Sequence, residues 1–195
     1  MTDSMLPALE QYVAIDCEMV QVKSASGLAK VGMVDHQGAV LLESFVYVNP
    51  RNVKDWRSDT SGIMPGDLDG APTFEEIQPK IKAILNGKII VGHAVFNDLN
   101  AIQHRHPYED VRDTSLFYPL RAVLNVTREG EYPSLKRLCK EVLHKEIQYG
   151  QHCPVEDARA TMALFMTVRD DYETSLARGQ DVVAGVPRAY EKWYW

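Results

Sequence analysis

The sequence predicts an α/β domain built on a mixed central sheet flanked by helices. Three observations lead there. Strand-like apolar runs crowd the first fifty residues, helical and strand-like segments alternate after residue 72, and cap or turn residues mark the changes of period. At 195 residues the chain reads as one domain, long enough to bury a sizeable core.

The first strand is predicted over residues 12–20, YVAIDCEMV. KVGMVD (30–35) and AVLLESFVYV (39–48) follow as strands joined by a tight turn at His36-Gln37-Gly38, an antiparallel meander. Residues 49–72 are dense in turn-forming types and read as a loop. Thr73 and Glu76 make a capping box for a helix that reaches about Asn86, with Gly87 as its stop. KIIVGH (88–93) is a short buried strand, and a helix follows from about Asn97. VRDT (111–114) ends another short strand, with Asp113 or Thr114 as the expected cap of the next helix. Ser134 opens a helix to about Leu143, and Pro154 suits the first position of a long helix to about Tyr172.

Composition narrows the function classes. Apolar content of 45% and charged content of 25% are those of a soluble globular protein. A net charge of -6 excludes a diffuse polyanion binder, so contact with nucleic acid requires a local basic patch or bound cations. Cys17, Cys139 and Cys153 are odd in number and lack metal-ligand spacing, which fits free thiols in a reducing compartment. The opening MTDSMLPALE has neither the basic segment nor the apolar core of a signal peptide, and no run approaches the ~20 apolar residues of a membrane span.

Against that background VAIDCEMVQV (13–22) stands out, because unpaired charge in a buried strand is very costly. Residues two apart on a strand share a face, so Asp16 and Glu18 point the same way beside Ala14 and Val20, while Val13, Ile15, Cys17 and Met19 line the other face. Two such carboxylates suit a hard cation such as Mg²⁺, but D-x-E alone is a weak signal and a half-buried strand with a solvated acidic face is its plainer reading. Asp98, in VGHAVFNDLNAI (91–102), lies at the start of a helix after a buried strand, where active groups of α/β folds gather. His93 reads better as a hydrogen-bonded structural histidine. In HCPVEDARAT (152–161), His152 precedes the last helix and Asp157 lies one turn inside it, a base beside a ligand or two ordinary residues at a helix start.

The order of these sites is more telling than any one of them. D-x-E on a first strand, an Asp after G-H, and H-x-x-x-x-D on a last helix resemble the DEDDh 3′-5′ exonucleases, over about residues 11–172. Within that superfamily I-D-C-E-M-V, S-G-L-A, S-G-I, V-G-H-x-x-x-N-D, R-D-T-S, S-L-K-R-L and V-E-D-A-R-A-T are similar to the REX-type RNA exonucleases, the RNA exonuclease 4 and interferon-stimulated exonuclease branch. The resemblance implies a ribonuclease H-like exonuclease fold. Its domain would occupy residues 11–175, between an extension (1–10) and an aromatic tail (176–195). It implies that Asp16, Glu18, Asp98 and Asp157 gather around two Mg²⁺ ions, with Mn²⁺ able to substitute, and that His152 is the general base.

By the same resemblance the partner is single-stranded RNA, attacked from its 3′ end, with DNA or both polymers as the alternative substrate. A catalytically idle RNA-binding adaptor on the same fold is the rival of a different class. Met19 and Arg57 are the expected contacts to the terminal nucleotide; an ordinary core methionine and a solvated loop charge are their plain alternatives. Phe96 either stacks on a base or packs internally. Cys153 stands where Ser or Asp is frequent in the family, so a weaker helix cap is expected. The tail AYEKWYW (189–195) is expected to dock on the body. Resemblance points to a nuclear or nucleolar protein, yet the chain has no clear basic targeting run, which leaves a cytoplasmic location open.

Overall fold

The computed structural model describes residues 6–23 and 25–195, so the first half of the expected N-terminal extension, residues 1–5, lies outside the described residues. β1 (Tyr12–Val22) and β2 (Ala25–Asp35) form a long antiparallel hairpin, and β3 (Val40–Phe45) continues the meander. The turn before β3 is made as its sequence demands. Asp35 Oδ1 accepts from the Gln37 and Ala39 amides at 2.9 Å each, and Gly38 supplies a φ of +82°.

β5 (Ile89–Gly92) and β6 (Val111–Asp113) then add in parallel on the other side of β1, giving the order β3-β2-β1-β5-β6 and a mixed sheet. Parallel pairing requires crossovers, supplied here by α2 (Phe74–Leu85) and α3 (Phe96–Ala101). α4 (Tyr118–Val123), α5 (Leu135–Leu143) and α6 (Pro154–Ala177) follow β6. No helix among the described residues is long and apolar enough to cross a membrane.

Four elements differ from their expected form. β2 begins five residues early, because Ala25–Gly27 pair with the end of β1 despite their small side chains. The 49–72 loop contains β4 (Val53–Asp55), which pairs with Gln21 and Val22, and the single-turn helix α1 (Ser58–Ser61) between Arg57 and Gly62, both in the left-handed region. Neither Asp113 nor Thr114 caps α4, whose cap position is Phe117. Asp113 instead accepts from the Ala94 and Val95 amides at 3.0 and 2.9 Å, and so ties β6 to the start of α3. Finally, α6 runs five residues past Tyr172, since Tyr172 and Glu173 are still buried.

The two faces of β1 belong to different cores. Val13, Ile15 and Cys17 pack with Ile77, Ile81 and Leu85 of α2 and Leu99 of α3. Tyr12 and Ala14 pack under α5 and α6, with Leu138, Ala158 and Phe165. A buried pair closes the second core: Arg112 Nε and Nη2 donate to Glu173 Oε1 and Oε2 at 2.7 and 2.9 Å, and the Tyr12 hydroxyl donates to Oε1 at 2.9 Å. Breaking such a pair on one side costs roughly 3–5 kcal/mol, because a charge is left buried alone.

Two glycines allow backbone to come close where the acidic residues lie. Gly32 pairs with Asp16 across the hairpin, and a Cβ there would sit 2.5 Å from the Val155 nitrogen and 2.6 Å from the Pro154 carbonyl carbon. A Cβ on Gly92 would lie 2.4 Å from Val95 Cβ, which would block the sharp passage from β5 into α3. Gly32→Ala should therefore push the start of α6 off the sheet. Overpacking of this kind costs about 1–3 kcal/mol, a fall in Tm of roughly 2–12 °C for a chain of this size. Gly185→Ala, where nothing lies within 4 Å, should leave Tm unchanged. Thermal unfolding of the two variants beside the parent checks this, and equal midpoints would refute the close-approach role of Gly32.

Candidate active site

The acidic face of β1 points into the space between the hairpin and the first turn of α6. Glu18 and Asp157 are buried, and Asp16 is partly exposed. Asp98 is buried on α3. His152 comes up from the segment before α6, where its amide donates to the Thr60 carbonyl of α1 at 3.0 Å. Its Nδ1 stands 3.4 Å from Asp157 Oδ2 and 3.9 Å from Glu18 Oε1. Ligand atoms of Glu18, His152 and Asp157 lie within 4.8 Å of one another.

The four carboxyls also feel one another. Burial, followed by the charges of Asp98, Asp157 and Glu18, holds Asp16 well above the usual carboxylate range. Burial raises Asp98, against the pull of Cys17 beside it. Burial raises Asp157 too, opposed by the Gln148 hydrogen bond and by His152. Glu18 is pushed up to about 7, first by burial and then by Asp157, while Lys30 opposes the shift from the paired position on β2. Of the cations near this cluster, Lys30 is engaged by Glu43 at 2.8 Å. Asp157 Oδ1 is buried without a hydrogen-bond partner, although Oδ2 accepts from Gln148 Nε2 at 2.9 Å. A concentrated set of oxygen donors with an unsatisfied buried lone pair fits a hard divalent cation.

Asp16, Glu18, His152 and Asp157 line a cleft of about 350 Å³ together with Cys17, His93, Ala94, Gln148 and the segment Tyr132–Leu135. Asp98 lies behind them, close enough to raise Asp16. His93 is held at both nitrogens, by Thr114 Oγ1 at 2.9 Å and the Pro133 carbonyl at 2.8 Å, as befits a structural histidine. Cys153 makes no side-chain cap on α6. All three cysteines are free thiols.

The expected substrate contacts fare differently. Met19 is half-buried on the opposite face of β1, against the α2–α3 core. Arg57 Nη2 donates to Gln21 Oε1 at 2.5 Å, which places it at the far end of the acid-bearing strand. Phe96 is not a free stacking surface, which corrects that expectation. It is 3% exposed, with the Tyr132 ring 5.2 Å and the Tyr190 ring 4.9 Å from its own. Its place at the start of α3 turns it inward, under the segment that follows α6. Gln148 and Tyr132 have no counterpart among the sequence expectations. Both lie in irregular segments without periodicity, where nothing local shows which way a side chain faces.

Comparison with known proteins gives the family and the fold. The exonuclease family model RNase_T matches residues 13–165. RNA exonuclease 4 of Candida glabrata is 42% identical over 167 residues, covering 84% of this chain and 62% of that protein. RNA exonuclease 4 of Saccharomyces cerevisiae is 44% identical over 167 residues, covering 84% and 56%. The chain thus spans less than two thirds of the length of these relatives. Among solved structures, the S. cerevisiae Pan2 pseudoubiquitin hydrolase–RNA exonuclease module superposes with a TM-score of 0.69 at 24% identity, covering 92% of this chain and 34% of that one. The Neurospora crassa Pan2 catalytic unit gives 0.68 at 23%, covering 92% and 29%. At such identity the likeness is one of fold, the ribonuclease H-like sheet with flanking helices.

The carboxyl cluster makes stability depend on pH when no metal is bound. Glu18 has an ordinary value of 4.5 and a folded value of about 7, so between these the folded chain holds a proton that the unfolded chain has lost. Stability is then highest below the lower value and falls as pH rises through the upper one. Asp16, Asp98 and Asp157 shift in the same direction. In EDTA, Tm should therefore fall from pH 5 to pH 8. Asp16→Asn should lessen the fall, and added Mg²⁺ or Mn²⁺ should reverse it. A Tm that climbs with pH in EDTA would contradict the raised carboxyls.

Proposed function

This chain belongs to the exonuclease (RNase_T) family, and from that premise we propose that it is a 3′→5′ exoribonuclease acting on single-stranded RNA and releasing nucleoside 5′-monophosphates. The meeting of Asp16, Glu18, Asp157 and His152 at one cleft, with Asp98 behind them, carries the reading. The RNA exonuclease 4 relatives support the choice of polymer. So does the fold neighbour in the S. cerevisiae Pan2 module solved in complex with AAGGAA RNA.

Asp16, Glu18, Asp98 and Asp157 would hold two Mg²⁺, exchangeable for Mn²⁺, since both cations take oxygen ligands. When bound, such ions stabilise the attacking and leaving oxygens of a phosphodiester displacement. The side chains of this protein do the rest. Gln148 orients Asp157 through Oδ2 and leaves Oδ1 free. His152, 30% exposed at its side chain, is reached by solvent. Beside Asp157 and Glu18, His152 would take the proton of the attacking water. Met19, packed against the α2–α3 core on the other face of β1, keeps its plain reading as a core methionine. Arg57 is assigned to the terminal nucleotide. The link from Arg57 to Gln21 on the acid-bearing strand favours this, as does the link from α1, through Thr60, to His152.

End-labelled single-stranded RNA tests the reading. It should shorten stepwise from its 3′ end in Mg²⁺ and stay intact in EDTA, and it should outcompete matched DNA. A circular RNA should resist entirely; its efficient cleavage would establish endonuclease action instead. Asp16→Asn should abolish trimming while the fold survives. His152→Ala leaves every acid in place, so RNA affinity should hold while kcat falls about 10²–10⁴-fold, the usual share of a general base. Single-turnover rates with affinity measured separately decide this. An unchanged rate would remove His152 from the mechanism.

A further inference from the structure

We propose that Tyr132 is the residue on which a nucleoside flanking the scissile phosphodiester stacks, and that the C-terminal segment sets its position through Tyr190 and Phe96. The inference rests on reading the cleft as that of an RNA exonuclease. Tyr132 lines the same cleft as Asp16, Glu18, His152 and Asp157, and it is half-buried, so part of its ring faces the space beside the acids.

The ring is held from both sides in the chain. Arg121, a buried cation, donates through Nη1 to the Glu131 carbonyl at 2.8 Å and through Nη2 to the Arg128 carbonyl at 2.9 Å. On the other side, His93 Nε2 meets the Pro133 carbonyl at 2.8 Å. An irregular segment whose carbonyls are bound by a buried guanidinium and a part-buried imidazole is fixed before any ligand arrives. Such pre-organisation lowers the cost of binding.

Behind the ring stands Phe96, tilted 53° at 5.2 Å, and behind Phe96 stands Tyr190, tilted 54° at 4.9 Å. Tyr190 belongs to the segment that docks on the body. Within it, Trp193 Nε1 donates to Asn100 Oδ1 at 3.0 Å, and the His106 and Tyr108 amides donate to the Trp193 and Trp195 carbonyls at 2.9 and 3.0 Å. The aromatic column therefore joins the C-terminal segment to the wall of the cleft. Tyr132 supplies the π face, and Tyr190 is a positioning residue. Stacking on an aromatic ring is tolerant of base identity, which suits an enzyme that must advance along any sequence.

The test compares parent, Tyr132→Ala, Tyr132→Phe, Tyr190→Ala and Tyr190→Phe in Mg²⁺. Substrates are an RNA oligomer and two versions of it, lacking the base at the last or the penultimate 3′ residue. Tyr132→Ala should lose about 5- to 150-fold in kcat/KM, the range expected for one stacked base, mainly through KM. Tyr132→Phe should match the parent, and the loss should vanish on one of the two abasic substrates. Tyr190→Ala should raise KM by a smaller factor and Tyr190→Phe should restore it, with circular dichroism spectra unchanged. Parent kinetics in Tyr132→Ala, or equal losses on all three substrates, would overturn the inference while leaving the exonuclease reading intact. A parent that fails to trim RNA at all would overturn both.

Discussion

Four carboxyls held in one place, beside a lysine already paired with Glu43, are the constraint on which this structure turns. Like charges about 4 Å apart repel by about 4 kcal/mol near a protein surface, and whole domains are stable by only about 5–15 kcal/mol. Without a counter-charge the cluster must stay partly protonated, as the raised position of Glu18 reflects. The folded chain carries this load because the elements bearing the acids are fastened away from the acids themselves. β1 is paired on both sides, and its apolar residues enter two separate cores. α6 is locked at its far end by Glu173 against Arg112 and Tyr12.

The same fastening explains why the site forms where it does. Gly32 and Gly92 lack side chains at the two points where backbone must cross closely, one bringing Asp157 to β1 and the other turning the chain towards Asp98. Asp113 spends its carboxylate on the Ala94 and Val95 amides, which holds the start of α3. The reactive groups therefore sit on elements whose positions are set by packing and buried hydrogen bonds, a condition for holding several like charges at short range. Family and fold comparisons agree with that frame, while the assignment of each side chain to metal, water or RNA is our proposal.

Much of this was legible in the chain. The alternation in VAIDCEMVQV sorted Asp16 and Glu18 from Val13, Ile15 and Cys17, because residues two apart on a strand share one of only two faces. Thr73 with Glu76, Ser134 and Pro154 marked helix starts, since cap chemistry acts within four residues: the Thr73 amide donates to Glu76 Oε2 at 2.8 Å. The spacing from His152 to Asp157 was likewise local, one turn at a helix entry.

What needed the folded chain is whatever depends on a distant partner. Phe96 reads from sequence as either stacking on a base or packing, and only the distant rings of Tyr132 and Tyr190 settle that it is packed. β4 hides in a run of turn residues because its strand character comes from pairing with Gln21 and Val22. Asp113 looks like a helix cap because cap residues and loop brackets share the same chemistry, and the choice of amides is made by the neighbouring strand. Gln148 reaches Asp157 from a loop without periodicity. By itself the sequence determined which residues could share a face or open a helix, since those follow from backbone geometry over a few residues. Tertiary structure decided which of those faces meet, because that depends on close approaches such as Gly32 under Pro154 and Val155, which no local pattern encodes.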